Sequence, residues 1–210
     1  MEYCTIAAAC EASITEKRSE FIAQLFPIAT VEAFTEKLEE IRAKHHKARH
    51  HVWAYRLRAD GATRYSDDGE PQGTGGVPVL GVLQKNELTD IGCVVTRYFG
   101  GVLLGASGLT RAYSSAAALA VQHASIQHFC EAMQLRLQMD YGMYGKVSYV
   151  LPEYEILERS SDFGENVTLE FDVKTEHYER LTARLTDLFN GTPNLELLDT
   201  HFADFGKSGL

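Results

Sequence analysis

The sequence predicts an α+β chain of two domains, and three observations carry that prediction. The first is a run from Ile91 to Ala120 that reads as an apolar strand, a loop with four glycines and a long helix. The second is a change of character near Ala124 to Glu131, after which a fresh alternation begins with Met133, Leu135, Leu137 and Met139 facing one way. The third is the order of elements beyond that point, strand-helix-strand-strand-helix-strand, which is the ferredoxin-like βαββαβ unit. A chain of 210 residues has room for one large or two small domains, and the expected division is 1–130 and 131–210.

In chain order, Thr5 to Ala9, Ala12 to Thr15 and Ser19 to Phe26 read as short strands, the last ended by Pro27. Thr30 suits the N-cap of a helix with Val31, Phe34, Leu38 and Ile41 at helical spacing. Val52 to Leu57 alternates as a strand, with Trp53, Tyr55 and Leu57 on a face that belongs in the core. Thr74 is a candidate cap for a short helix carrying Val77, Leu80 and Leu83. The long helix presents Leu109, Ala112, Ala116 and Leu119 on one side. In the second half, Tyr141 to Leu151 reads as a helix stopped by Pro152. Tyr154 to Arg159 and Val167 to Val173 read as strands about a turn at Ser161-Asp162-Phe163-Gly164. Thr175 caps a helix with Tyr178, Leu181, Leu185 and Leu188 that Gly191 closes, and Leu195 to Thr200 is the last strand.

Gly100, Gly101, Gly105 and Gly108 stand where a strand passes into a helix, so backbone N–H groups at the helix start point outward at the positive end of its dipole. Arg97 enters this loop and Arg111 lies about one turn into the helix, and both guanidinium groups are expected to reach the same anion. Ser107 completes the GxxG spelling Gly105-Ala106-Ser107-Gly108. The pattern lacks the GxxxxGK[ST] of a P-loop and the GxGxxG of a dinucleotide fold. It therefore predicts an anion site without specifying the anion.

Charge points the same way. The chain carries a net −9, yet residues 1–130 hold 13 Lys+Arg against 14 Asp+Glu, while 131–210 hold 7 against 15. Arg42 to Arg64 contains seven basic residues and one acid, Asp60, and offers Lys44, Lys47, Arg49 and Arg56 as phosphate contacts. His46 and His50 stand four apart, but the residues between them include no Glu and their cationic neighbours repel a metal. No metal, cofactor or catalytic residue is assigned. A possible second site is the run Asp67, Asp68, Glu70 and Thr74, where three carboxylates in four residues suit a divalent cation or a general base, and suit an ordinary turn equally. Cys4, Cys10, Cys93 and Cys130 form no CxxC pair, and no stretch has the length and apolarity of a membrane span or signal segment. A soluble, cytoplasmic protein is expected.

Several of these segments bear a resemblance. Lys17-Arg18-Ser19-Glu20-Phe21-Ile22-Ala23, Asp67 to Thr74, Arg97-Tyr98-Phe99-Gly100-Gly101-Val102-Leu103-Leu104-Gly105 and Gly108 to Tyr113 are similar to the Impact family, and the whole chain resembles its bacterial YigZ/YvyE branch. Gly75 departs from a usual Ala, and Ala106-Ser107 stands where Gly-rich variants occur. The resemblance implies an N-terminal α+β domain like the second domain of a small-subunit ribosomal protein. It also implies a C-terminal domain of unknown function, resembling the last domain of elongation factor G. Eukaryotic Impact proteins regulate translation by competing for the activator of an amino-acid-starvation kinase; bacteria lack that pathway, so fold and a general link to translation are what carry over. The function expected is that of a non-enzymatic nucleic-acid- or ribosome-binding protein, with RNA or the ribosome as partner. The alternatives are a nucleotide-dependent enzyme using the glycine loop with Asp67 to Glu70 as magnesium ligands, and an adaptor whose acidic C-terminal domain docks a protein. The sequence leaves the oligomeric state open.

Overall fold

In the computed structural model, which describes residues 2–206, the strand expected at Ile91–Thr96 is β6 (Ile91–Tyr98), and its first seven residues are buried. It belongs to a unit of residues 3–127; residues 128 onward, with Glu2, form a second. β6 is flanked by β3 (Ser19–Pro27) and β4 (His50–Arg56), with β2 (Cys10–Glu16) and β5 (Thr63–Ser66) at the edges. All four pairings are antiparallel. A strand apolar on both faces needs a layer on each side. On one side Val94 packs with Phe34, Leu38 and Ile41 of α1 (Val31–Lys44), together with Phe26 and Tyr55. On the other, Ile91, Cys93 and Val95 pack with Val79 and Leu83 of α2 (Gly76–Lys85) and with Ala112, Ala116 and Ala120 of α3 (Gly105–His123). The alanines let α3 approach the sheet closely, and they are almost fully buried.

Trp53 and Tyr55 lie with Phe34, ring centroids 5.2 Å and 4.8 Å from it, so the aromatic face of β4 is core. Thr30 caps α1, its Oγ1 accepting from Ala33 N at 3.2 Å. β2 and β3 join through Lys17 and Arg18, both in the left-handed region (φ 47° and 68°), the two-residue hairpin turn that matches strand twist. The strand expected at Thr5–Ala9 lies instead at Glu2–Ile6 (β1), where Thr89 N–H donates to Cys4 O at 2.8 Å and Ala7 N–H to Ser125 O at 2.9 Å. β5, four polar and aromatic residues, has no apolar alternation and was not foreseen.

The second unit contains β7 (Ile126–Met139) from His128 onward, α4 (Tyr141–Val150), β8 (Leu157–Phe163), β9 (Val167–Lys174), α5 (Tyr178–Phe189) and β10 (Asn194–Asp204). Antiparallel pairing in the order β10-β7-β9-β8 makes it ferredoxin-like. Leu135, Leu137, Phe171 and Val173 of the sheet pack with Leu181 and Leu185 of α5. Between α4 and β8, residues 151–154 form a 3-10 turn closed by Glu155 at φ 51°, so β8 starts three residues later than expected and runs on to Phe163. Thr175 does not cap α5; it opens a 3-10 turn, and its hydroxyl donates to Glu131 O at 3.0 Å. No helix among the described residues is long and apolar enough to cross a membrane.

Beneath α1 the sheet carries a polar end. His45 Nδ1 lies 3.0 Å from Tyr98 Oη, and His51 Nδ1 lies 3.1 Å from Thr96 Oγ1. Burial holds both imidazoles below their ordinary pKa. At His45, Lys44 adds to this and Glu11 and Glu20 oppose it; at His51, Asp68 opposes it and Arg42, His45 and His50 add. A histidine kept neutral by the fold contributes stability that is complete above the unfolded value, about 6.5, and is lost as pH falls below it, because the unfolded chain then binds protons the folded chain resists. The urea midpoint is accordingly expected to drop between about pH 7 and about pH 5. That drop should shrink in a His45→Gln/His51→Gln variant; an undiminished drop would assign the acid sensitivity to other groups.

Candidate functional site

The acidic run after β5 folds back on itself. Asp67 accepts from the backbone N–H groups of Gly73, Gly75 and Gly76 at 2.8 to 2.9 Å, so its carboxylate fills the N-terminus of α2. Burial raises its pKa, and the three donors more than offset that, so it titrates below the usual aspartate value. Asp68 accepts from His51 N at 2.6 Å and from Arg42 Nη2 at 3.1 Å, while its carbonyl meets His50 Nδ1 at 2.9 Å. Glu70 Oε1 accepts from Arg97 Nη1 at 2.6 Å and from Tyr113 Oη at 2.8 Å. The side chains of Glu70 and Arg97 are only 4% and 7% exposed. Burial and the neighbouring Glu70 keep the Tyr113 phenol protonated. Thr74 caps no helix: its buried hydroxyl donates to Pro71 O at 2.7 Å, and the residue before α2 is Gly75. All three carboxylates thus accept hydrogen bonds from groups of the chain itself, and no group of three or more side chains placed to hold a metal ion is found among the described residues.

The ion pair ties the acidic run to the end of β6, and a pocket of about 380 Å3 opens beside it. Arg49, His50, Glu70 and Arg97 line one part of it, and Phe99, Leu103, Leu104 and Leu109 another. Gly105 and Ala106, the first residues of α3, complete the wall. Leu104 at the N-cap provides no side-chain acceptor, and the first turn carries no acid, so this helix start lacks the internal carboxylate that α2 has. Arg97 Nε is buried with no hydrogen-bond partner. The His50 contact to a carbonyl requires the proton on Nδ1, which leaves Nε2 as an acceptor.

Two of the glycines have a mechanical reason. A Cβ on Gly100 would lie 2.0 Å from the carbonyl carbon and oxygen of Arg18, and Gly100 N–H donates to Ser19 Oγ at 3.1 Å, so the loop rests directly on the β2–β3 turn. Gly105 opens α3 at φ 72°. Gly101 is also left-handed, Ser107 is exposed in the first turn, and Gly108 sits against Leu104.

The expected convergence of Arg97 and Arg111 does not occur. α3 begins at Gly105, so Arg111 lies about 9 Å along its axis, and it lines a separate hollow with Ile14, Glu16 and Ser115. The basic segment also divides. Arg49 reaches the pocket, Lys47 is exposed in the turn before β4, and Lys44 meets Glu11 at 3.4 Å. Arg56, six residues and about 20 Å along the strand from His50, donates to Leu88 O at 2.7 Å. Missed from the sequence were Tyr113, which looks like any aromatic on a helix face, and the lining residues Phe99 and Leu103, 53% and 83% exposed.

Residues 17–121 match the Impact N-terminal domain, and residues 137–192 match a domain of unknown function, DUF1949. IMPACT family member YvyE of Bacillus subtilis is 34% identical over 195 residues, which cover 92% of this chain and 90% of that protein. The chain belongs to the Impact family. Another Impact relative, IMPACT family member YigZ of Escherichia coli, is 33% identical over 93% of this chain and 98% of its own length. A crystal structure of a hypothetical protein superposes with a TM-score of 0.59 at 30% identity, covering 94% of this chain and 98% of that one. The Impact domain match takes in the β2–β3 turn, the acidic run, the glycine loop and α3 as far as Val121, so every residue of the pocket lies within it.

Proposed function

We propose that this Impact-family chain is a non-enzymatic nucleic-acid- or ribosome-binding protein linked to regulation of translation, and that it holds RNA phosphate at the start of α3. One observation carries the reading: an uncapped helix N-terminus opens into a pocket that Arg49, His50 and Arg97 also line. In a chain of net −9, the exposed Arg49 beside an uncapped helix start favours an anion, and phosphate is the anion that a nucleic acid repeats. The link to translation rests on family membership. The occupied carboxylates of Asp67, Asp68 and Glu70 weigh against the nucleotide-dependent enzyme.

Arg49→Ala is the direct test, because Arg49 is exposed and its loss should leave the melting temperature unchanged. The variant is expected to bind RNA more weakly, with the slope of log K against log salt reduced in magnitude by roughly 0.7 to 0.9. The loss should be similar for all RNA sequences, since phosphate contacts do not read bases. An unchanged slope would remove Arg49 from the interface. Absence of the wild-type chain from every ribosomal fraction and every RNA complex at low salt would overturn the reading. Ribosome association that persists without binding to naked RNA would assign docking to protein contacts instead.

A further inference from the structure

We infer that the α3 pocket accepts one unstacked nucleotide of a single strand, its phosphate on the helix start and its base against Phe99 and Leu103. This deepens the reading just given and rests on it. The volume, about 380 Å3, lies at the lower end of the range for small-ligand sites, roughly 300–1,000 Å3, and suits one monomer. The lining is divided as a nucleotide is divided. Arg49, His50, the Glu70–Arg97 ion pair and the helix start at Gly105 and Ala106 form a polar part; Pro71, Phe99, Leu103 and Leu109 form an apolar part.

A single exposed leucine needs no explanation. Here, however, Phe99, Val102 and Leu103, 53%, 38% and 83% exposed, fall within five residues of the loop, and Phe99 and Leu103 line the pocket together with Arg49. The Arg97 guanidinium lies 5.5 Å from the Phe99 ring centroid, so the donor group and the stacking face are immediate neighbours. Its Nη1 is anchored on Glu70, and Tyr113 fixes Glu70 in turn, so the guanidinium is held in place beside that ring. A base inside a duplex has both faces covered and cannot reach such a surface, whereas a single strand can place one there. Apart from the committed Glu70, the lining offers no side-chain amide or carboxylate to read a base edge. Recognition by stacking therefore tolerates any base.

The experiment compares the full chain and two variants, Phe99→Ala and Leu103→Ala, both changes at exposed positions, on a single-stranded RNA decamer and a blunt RNA duplex of the same sequence. Wild type is expected to prefer the single strand. Phe99→Ala is expected to weaken single-strand binding by roughly 5- to 150-fold, the range measured for loss of one base–aromatic stack, with an unchanged salt slope because no phosphate contact is removed. Leu103→Ala should act in the same direction, and duplex binding should respond to neither. Equal affinity for duplex and single strand, or a Phe99→Ala variant that binds the single strand as wild type does, would overturn this inference while leaving the phosphate site standing. No binding to either RNA would overturn both.

Discussion

Glu70→Ala is expected to destabilise the first unit by about 3–5 kcal/mol, because it leaves the Arg97 guanidinium buried without its counter-ion. Tyr113 loses the acceptor of its hydroxyl in the same step. For a chain of this size each kcal/mol moves the melting temperature by about 2–4 °C, so a fall on the order of 10 °C should be seen in a thermal scan. The pair itself need not be favourable overall: once both charges are out of water, the cost lies in breaking it. Glu70→Leu combined with Arg97→Met is accordingly expected to recover most of what Glu70→Ala loses, and the cycle of single and double variants measures the coupling. A Glu70→Ala variant melting within about 2 °C of wild type would mean that the acidic run is held to β6 by other contacts.

Gly100→Ala should be nearly as damaging for a steric reason. The added methyl would lie 2.0 Å from the backbone of Arg18, which has no rotamer through which to yield. Either the glycine loop or the β2–β3 turn has to move, and overpacking of this kind costs about 1–3 kcal/mol or more. Gly101→Ala is the matched control: its Cβ meets nothing within 4 Å, and only its positive φ is penalised, by about 1 kcal/mol. Denaturant melts of the two variants should therefore rank Gly100→Ala well below Gly101→Ala. The reverse order would place the backbone conformation, and not the close approach, in control of the loop.

The sequence announced those parts of the fold that rest on local pattern. Val167, Leu169, Phe171 and Val173 alternate cleanly and form the core face of β9, and the glycine-spaced passage from β6 into α3 lies where its residues predict. The pairing of loops was less visible, because it depends on where side chains turn after the chain has travelled away. Asp67 reaches donors six to nine residues ahead, and Arg97 meets a carboxylate 27 residues behind it. The basic run looked continuous because sequence proximity ignores direction, yet an extended strand carries Arg56 to the far end of the sheet from His50. Arg111 was misjudged for a related reason: α3 starts at Gly105, so Arg111 stands deeper in the helix than one turn.

The sheet order carries a kinetic cost of its own. β3 closes a hairpin with β2 on a timescale of about 1–10 μs, but its other edge pairs with β6, and 71 residues separate Pro27 from Tyr98. At a synthesis rate of about 5–20 residues per second, the nascent chain waits roughly 4–14 s for that partner. Throughout the wait β3 presents an unpaired edge whose Phe21, Ala23 and Leu25 later become fully buried, and such an edge is a template for pairing with another chain. The speed at which codons 28 to 98 are read therefore sets how long each newly made molecule remains vulnerable to aggregation, a hazard that the stability of the finished fold does nothing to reduce.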